Sequence, residues 1–193
     1  MSVPPHPPRL VIFGCGYVGS ALAREARRRG WHVVALTRNP ERAAMLRSHG
    51  VDVVAADLAG DAWHDDVPRA QDYVVTCVSS GGGGLPGYWR SYVEGTRSIL
   101  RWAAAGVPAT FVYTSSTSVY GQGGGETVTE DAPTGGGSEA SEPLVVAEEL
   151  VRSTAVFRRS FILRLAGIYG PGRHYLLDQL RAGATLFPGT GAH

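Results

Sequence analysis

The feature that most constrains this chain is the string Gly14-Cys15-Gly16-Tyr17-Val18-Gly19, set between a short apolar run and a helical pattern. Arg9–Gly14 (RLVIFG) reads as a buried strand, and Tyr17–Gly30 carries Val18, Leu22 and Ala26 at helical spacing. Alone, a G-x-G-x-x-G is weak. Between a strand and a helix it becomes a dinucleotide fingerprint. Gly14 permits the tight turn, Gly16 lets a pyrophosphate reach the backbone, and Gly19 lets the helix pack close to the strand. The helix start at Tyr17 and Val18 turns unpaired N–H groups and partial positive charge toward phosphate.

The rest of the chain repeats this unit. Strands are expected at His32–Thr37, Val51–Asp57, Tyr73–Val78, Thr110–Ser116 and Phe161–Ala166. Helices are expected at Pro40–His49, Tyr88–Ala105, Pro143–Thr154 (with Ser141 as cap) and Arg173–Arg181. Alternating strands and helices, with strands apolar on both faces, specify a doubly wound parallel α/β sheet, a Rossmann fold of about six strands. Right-handed crossovers suggest the order 3-2-1-4-5-6. The glycine-rich tracts Gly81–Gly84 and Gln122–Gly137 fall on loops leaving strand C-termini, the edge where such sheets bind ligands.

The end of the second strand selects the dinucleotide. An acidic residue there holds the ribose 2′-hydroxyl, whereas arginine accommodates a 2′-phosphate. Here Thr37-Arg38-Asn39 occupies that point and the first acid is Glu41. NADP(H) is therefore favoured, with NAD(H) the alternative. Asp57, followed by Leu58, is placed to reach the adenine amine, or else to cap the turn.

Composition narrows the partners. A formal net charge of +1 over 193 residues gives no electrostatic case for nucleic acid or an anionic membrane. No apolar run approaches the roughly 18 residues of a membrane span. Two cysteines, Cys15 and Cys77, cannot form a disulfide framework, and a cytoplasmic location is expected. They read as small buried fillers, or as a thiol pair at the cofactor edge. The six histidines lack metal-ligand spacing, so no metal is expected, and no G-x-S-x-G elbow points to a hydrolase. His64-Asp65-Asp66 reads as a polar loop and Arg27–Arg29 as a solvated cluster at a helix end. All 18 basic residues are arginine, which excludes any mechanism that needs a lysine.

Four strings in order carry a resemblance. FGCGYVGSAL lies near the start. YVEGT (Tyr92–Thr96) sits where a known family carries N-V-x-G-T. FVYTSSTSVYG (Phe111–Gly121) and RLAGIYGPGR (Arg164–Arg173) complete the set. The chain resembles the extended short-chain dehydrogenase/reductase proteins from about Arg9 onward. The glycine spacing points to the atypical branch labelled NAD-dependent epimerase/dehydratase. The resemblance implies a nicotinamide cofactor, a hydroxyl or carbonyl substrate such as a nucleotide sugar, and a Ser, Tyr, Lys catalytic set. Ser116 matches the family serine and is expected to hydrogen-bond the reacting oxygen. Val78, Ser79 and Thr114 complete the expected cofactor-binding set.

The Tyr-x-x-x-Lys pair should lie on the helix holding Glu148 and Glu149. Matching the family's trailing glutamate to Glu149 puts Ser141 and Val145 at the pair. Matching it to Glu148 puts Ala140 and Leu144 there. Neither register restores the pair. Tyr120 and Tyr169 are the remaining candidate acids, both expected to pack beside the cofactor.

Residues 1–193 are expected to form one dinucleotide-binding domain, with a disordered leader over 1–8. The start of a truncated substrate region is expected over 183–193, leaving an uncovered edge through which the chain could form a homodimer. The two functional expectations are an epimerase/dehydratase-type oxidoreductase and a non-catalytic NADP(H) sensor.

Overall fold

Six parallel strands form one sheet in the order β3-β2-β1-β4-β5-β6 in the computed structural model, which describes residues 6–106, 108–123 and 125–183. They are β1 (Arg9–Phe13), β2 (His32–Thr37), β3 (Asp52–Ala55), β4 (Tyr73–Thr76), β5 (Thr110–Ser116) and β6 (Arg159–Leu165). The helices are α1 (Tyr17–Arg28), α2 (Pro40–Ser48), α3 (Gly84–Tyr88), α4 (Gly95–Ala104), α5 (Glu142–Ser153) and α6 (Tyr175–Arg181). A π-helical stretch, Trp89–Glu94, joins α3 to α4. The strand order is the expected one. What was expected of residues 1–5 and 184–193 lies outside the described residues. Just ahead of β1, the Pro8 carbonyl accepts from His32 N at 2.9 Å.

Strand periodicity splits the core in two. Val11 and Phe13 join a cluster on one face with Trp63, Trp102, Phe111 and Tyr113. Leu10 and Ile12 point to the other face, where Ala23 and Ala26 of α1 and Leu46 of α2 cover them. On that second face the cover stops short of β6, leaving Phe161 49% and Leu163 47% exposed. The expectation of strands apolar and buried on both faces therefore fails at β6.

Alternation also breaks once. No helix joins β3 to β4; turns over residues 56–72 do so instead. Trp63, fully buried, does the covering: its ring packs 4.9 Å from Phe13 and 5.9 Å from Trp102. Three further expectations need correction. Ser141 starts α5 but gives no side-chain cap; its hydroxyl donates to Ser138 O at 2.6 Å. Arg27 is not solvated, since its Nη1 donates to Trp31 O at 2.8 Å. Asp57 lies two residues beyond β3 rather than ending it.

Candidate functional site

The turn out of β1 is built for close approach. Gly14 has φ +89°, and a Cβ there would sit 2.6 Å from Val78 N. Its N–H donates to Leu36 O at 3.1 Å, tying the turn to β2. A Cβ at Gly19 would run into the Gly14 carbonyl, so α1 can pack this close only with glycine there. At Gly16 the space is open, with no atom within 4 Å of an added Cβ. Ser20 braces the turn, its hydroxyl donating to Cys15 O at 2.9 Å. The result is a rigid loop with one bare backbone face at the N-terminus of α1.

Two cavities meet at this loop and share Gly16, Cys77, Val78 and Ser79. The first, about 320 Å³, runs over the ends of β2 and β3, past Gly14, Arg38, Asp57 and Leu58. The second, about 970 Å³, runs over the ends of β4, β5 and β6, past Tyr17, Val18, Thr114 and Ser116. Every expected site residue lines one or both, except Gly19, which is buried under the loop.

The first cavity carries two arginines. Arg38 Nη2 lies 3.5 Å from Gly81 O. Arg42, not singled out from the sequence, lines the same wall one turn into α2. Asn39 and Pro40 make that placement: Asn39 Oδ1 accepts from Arg42 N at 2.7 Å, and Pro40 occupies the first helical position. Asp57 is committed on both oxygens. Oδ1 accepts from Ala59 N at 3.0 Å, and Oδ2 accepts from Arg90 Nη2 at 2.9 Å. The Ala59 N–H, with Arg90 beside it, holds the Asp57 carboxyl below its ordinary value despite partial burial.

In the second cavity the hydroxyls dominate. Thr114 Oγ1 donates to Thr76 O at 2.8 Å, bridging β5 to β4. Ser116 Oγ accepts from Ser118 N at 3.1 Å, which leaves its own proton for a ligand. Tyr92, from the π-helical stretch, also lines the wall. Burial raises its phenol above the ordinary value, with Tyr88 beside it. No carboxylate lines this cavity among the described residues.

Beneath it lies a charged network. Glu148, fully buried, accepts from Arg164 Nη2 at 2.8 Å and from Arg152 Nη2 at 2.6 Å. Arg164 Nη1 also donates to Tyr120 OH at 2.6 Å and Glu130 O at 2.9 Å. Glu149 faces solvent. Of the two glutamates, Glu148 is the inward one, and in neither register are a Tyr and a Lys placed on α5. Tyr120 lines the cavity as expected, whereas Tyr169 is 86% exposed and lies outside its wall.

Both thiols are free. Burial pushes Cys15 up to about 12 and Cys77 to about 11, so neither is a ready nucleophile or oxidation site. His64 packs edge-on against Trp63 and shares a 3.0 Å hydrogen bond with Ser98, consistent with a structural role. Among the described residues no group of three or more His, Cys, Asp or Glu could hold a metal ion, and no helix is long and apolar enough to cross a membrane.

The sequence profile of the NAD dependent epimerase/dehydratase family matches residues 10–182. Protein YeeZ of Escherichia coli (strain K12) is 31% identical over 176 residues, covering 86% of this chain and 61% of that protein. Among solved structures, a short-chain dehydrogenase/reductase superfamily protein from Agrobacterium tumefaciens with bound NAD is 26% identical, with a TM-score of 0.68. It covers 81% of this chain and 48% of that one. MoeE5 in complex with UDP-glucuronic acid and NAD is 25% identical with a TM-score of 0.75, over 90% of this chain and 60% of that one. The chain thus spans between 48% and 61% of the length of these relatives.

Proposed function

The chain belongs to the NAD dependent epimerase/dehydratase family, and from that premise we propose that its trough binds NADP(H) and performs hydride chemistry on a hydroxyl or carbonyl substrate. The supporting observation is the junction of the two cavities at Gly16, where the backbone is bare and a helix begins. A pyrophosphate there is met by N–H donors of α1 and by its dipole. The adenosine half then lies in the first cavity, with Arg38 and Arg42 on the 2′-phosphate and Leu58 against the base. Arginine suits that task, since its planar fork pairs with phosphate oxygens. The nicotinamide half lies in the second cavity, beside Val78, Ser79 and Thr114.

When bound, the nicotinamide supplies the hydride donor or acceptor. Ser116 holds the reacting oxygen through its hydroxyl proton. Val18, Val78 and Leu165 supply an apolar part of the same wall. The substrate class is a nucleotide sugar or a similar hydroxyl or carbonyl compound, in keeping with the UDP-glucuronic acid bound by MoeE5. Two unpaired cysteines of high pKa suit a reducing cytoplasm.

A second reading is a non-catalytic NADP(H) sensor. The absence of the Tyr and Lys pair in either register favours it, because a positioned acid or base typically contributes ~10²–10⁴-fold in rate. Oxidation of NADPH in the presence of a panel of keto-sugar nucleotides and simple carbonyl compounds separates the two. Turnover lost in Ser116→Ala supports the enzyme; NADPH bound without turnover of any panel member supports the sensor.

A further inference from the structure

Arg173 is the one charged side chain on the wall of the second cavity among the described residues. No side-chain carboxylate among the described residues forms an ion pair with it. Its position is nonetheless fixed. Two backbone hydrogen bonds close the turn, Arg173 N to Gly170 O at 2.9 Å and Gly170 N to Arg173 O at 3.2 Å. The guanidinium lies over the Tyr17 ring, 5.5 Å from its centroid. Tyr17 in turn donates its hydroxyl to Pro171 O at 3.1 Å. Gly170, at φ +154°, allows this docking, because a Cβ there would fall 2.5 Å from the Tyr17 oxygen.

Tyr17 is the residue directly after Gly16 and the first of α1. The turn after β6 therefore clips onto the phosphate loop and carries a cation to the edge of the cavity. An aromatic face orients that cation without neutralising it. Exposed and held at the cavity edge, it is available to a ligand anion, and a planar guanidinium is matched by a carboxylate or phosphate.

We propose that Arg173 is an anion-binding arm that closes on a phosphate or carboxylate group in the second cavity. The proposal rests on reading the trough as a dinucleotide site. Two sources supply such an anion: the cofactor's own pyrophosphate, at the Gly16 end, and an acidic group on the substrate. In the first case Arg173 holds the cofactor; in the second it selects anionic substrates.

The test is calorimetric titration of wild type, Arg173→Ala and Arg173→Lys, first with NADP⁺ and then, on NADP⁺-saturated protein, with UDP as the anionic probe. Arg173 is exposed, so thermal unfolding should be unchanged in both variants. The expected result is a roughly ten- to hundredfold loss of affinity in Arg173→Ala for one of the two ligands, the size of a charge-assisted hydrogen bond. A loss for NADP⁺ assigns the pyrophosphate; a loss for UDP alone assigns the substrate. Arg173→Lys should recover part of the loss, since it keeps the charge but not the stacked fork. Unchanged NADP⁺ affinity together with unchanged or undetectable UDP binding overturns the proposal. Failure of wild type to bind NADP⁺ contradicts the dinucleotide reading instead, and UDP titration of the free protein then decides the role of Arg173.

Discussion

Arg164 closes on the buried carboxylate of Glu148, with Nε 3.1 Å from Oε1 and Nη2 2.8 Å from Oε2. This contact pins α5 to β6, and through Arg164 Nη1 it also fixes Tyr120 at the cavity wall. Glu148 has no exposure to water, so its charge depends on these partners. Glu148→Ala or Arg164→Ala should each destabilise the fold by ~3–5 kcal/mol, the usual cost of stranding a buried charge or its partner. A paired Glu148→Leu, Arg164→Met change should cost much less, because no charge is left stranded. Denaturant unfolding of the three variants checks this.

The same pair gives a pH dependence. Burial pushes the Glu148 carboxyl up, but hydrogen bonds from Arg164 and Arg152 outweigh burial and hold it below its ordinary value near 4.5. A depressed folded pKa contributes stability above the unfolded pKa, and that stability is lost as pH falls through the folded one. Thermal unfolding of wild type should therefore weaken from about pH 4.5 downward. The paired Glu148→Leu, Arg164→Met variant should show a shallower decline. Parallel curves would contradict the assignment.

Gly14 and Gly16 should part company. Gly14→Ala faces both a left-handed backbone and a backbone clash at Val78. It should lose at least ~1–3 kcal/mol of stability, with dinucleotide binding lost alongside. Gly16→Ala meets nothing in the fold. Its melting temperature should stay close to wild type, while affinity for NADP⁺ falls at least about tenfold, since the methyl occupies the face where pyrophosphate approaches. Melting curves with and without NADP⁺ read both effects.

Much of this was legible in the sequence. Strand order followed from parallel crossover rules, and the tight turn between β1 and α1 from three glycines in the right context. What escaped had physical reasons. Residues 56–72 carry no periodic pattern, because Leu58, Trp63 and Val67, spaced along turns, cover what a crossover helix would cover. The exposure of Phe161 and Leu163 depends on how far α1 and α2 reach across the sheet, which the composition of β6 does not encode. Nothing in the sequence pattern singles out Arg42, which reaches the cavity from the first turn of α2, where its N–H is capped by Asn39. Asp57, by its position a ligand group or a turn cap, makes the turn and also binds Arg90, 33 residues away. That Glu148 rather than Glu149 turns inward depends on the tertiary contact with Arg164.

The thiols provide a test of burial at the edge of the first cavity. With Cys15 near 12 and Cys77 near 11, the thiolate fraction at neutral pH is very small. Alkylation by iodoacetamide should be slow at pH 7, and should still rise about tenfold per unit past the ordinary thiol pKa of roughly 8.5. A plateau near pH 8.5 in the folded protein would show that burial does not control these groups.

The most direct test of the dinucleotide reading is calorimetric titration of the chain with NADP⁺ and NAD⁺, alongside Arg38→Ala and Arg42→Ala. The trough as described predicts that NADP⁺ binds more tightly than NAD⁺. Each arginine change should weaken NADP⁺ by roughly ten- to hundredfold while leaving NAD⁺ nearly unchanged. Tighter binding of NAD⁺, insensitive to both arginines, would contradict the cofactor assignment. Binding of neither dinucleotide would contradict the site.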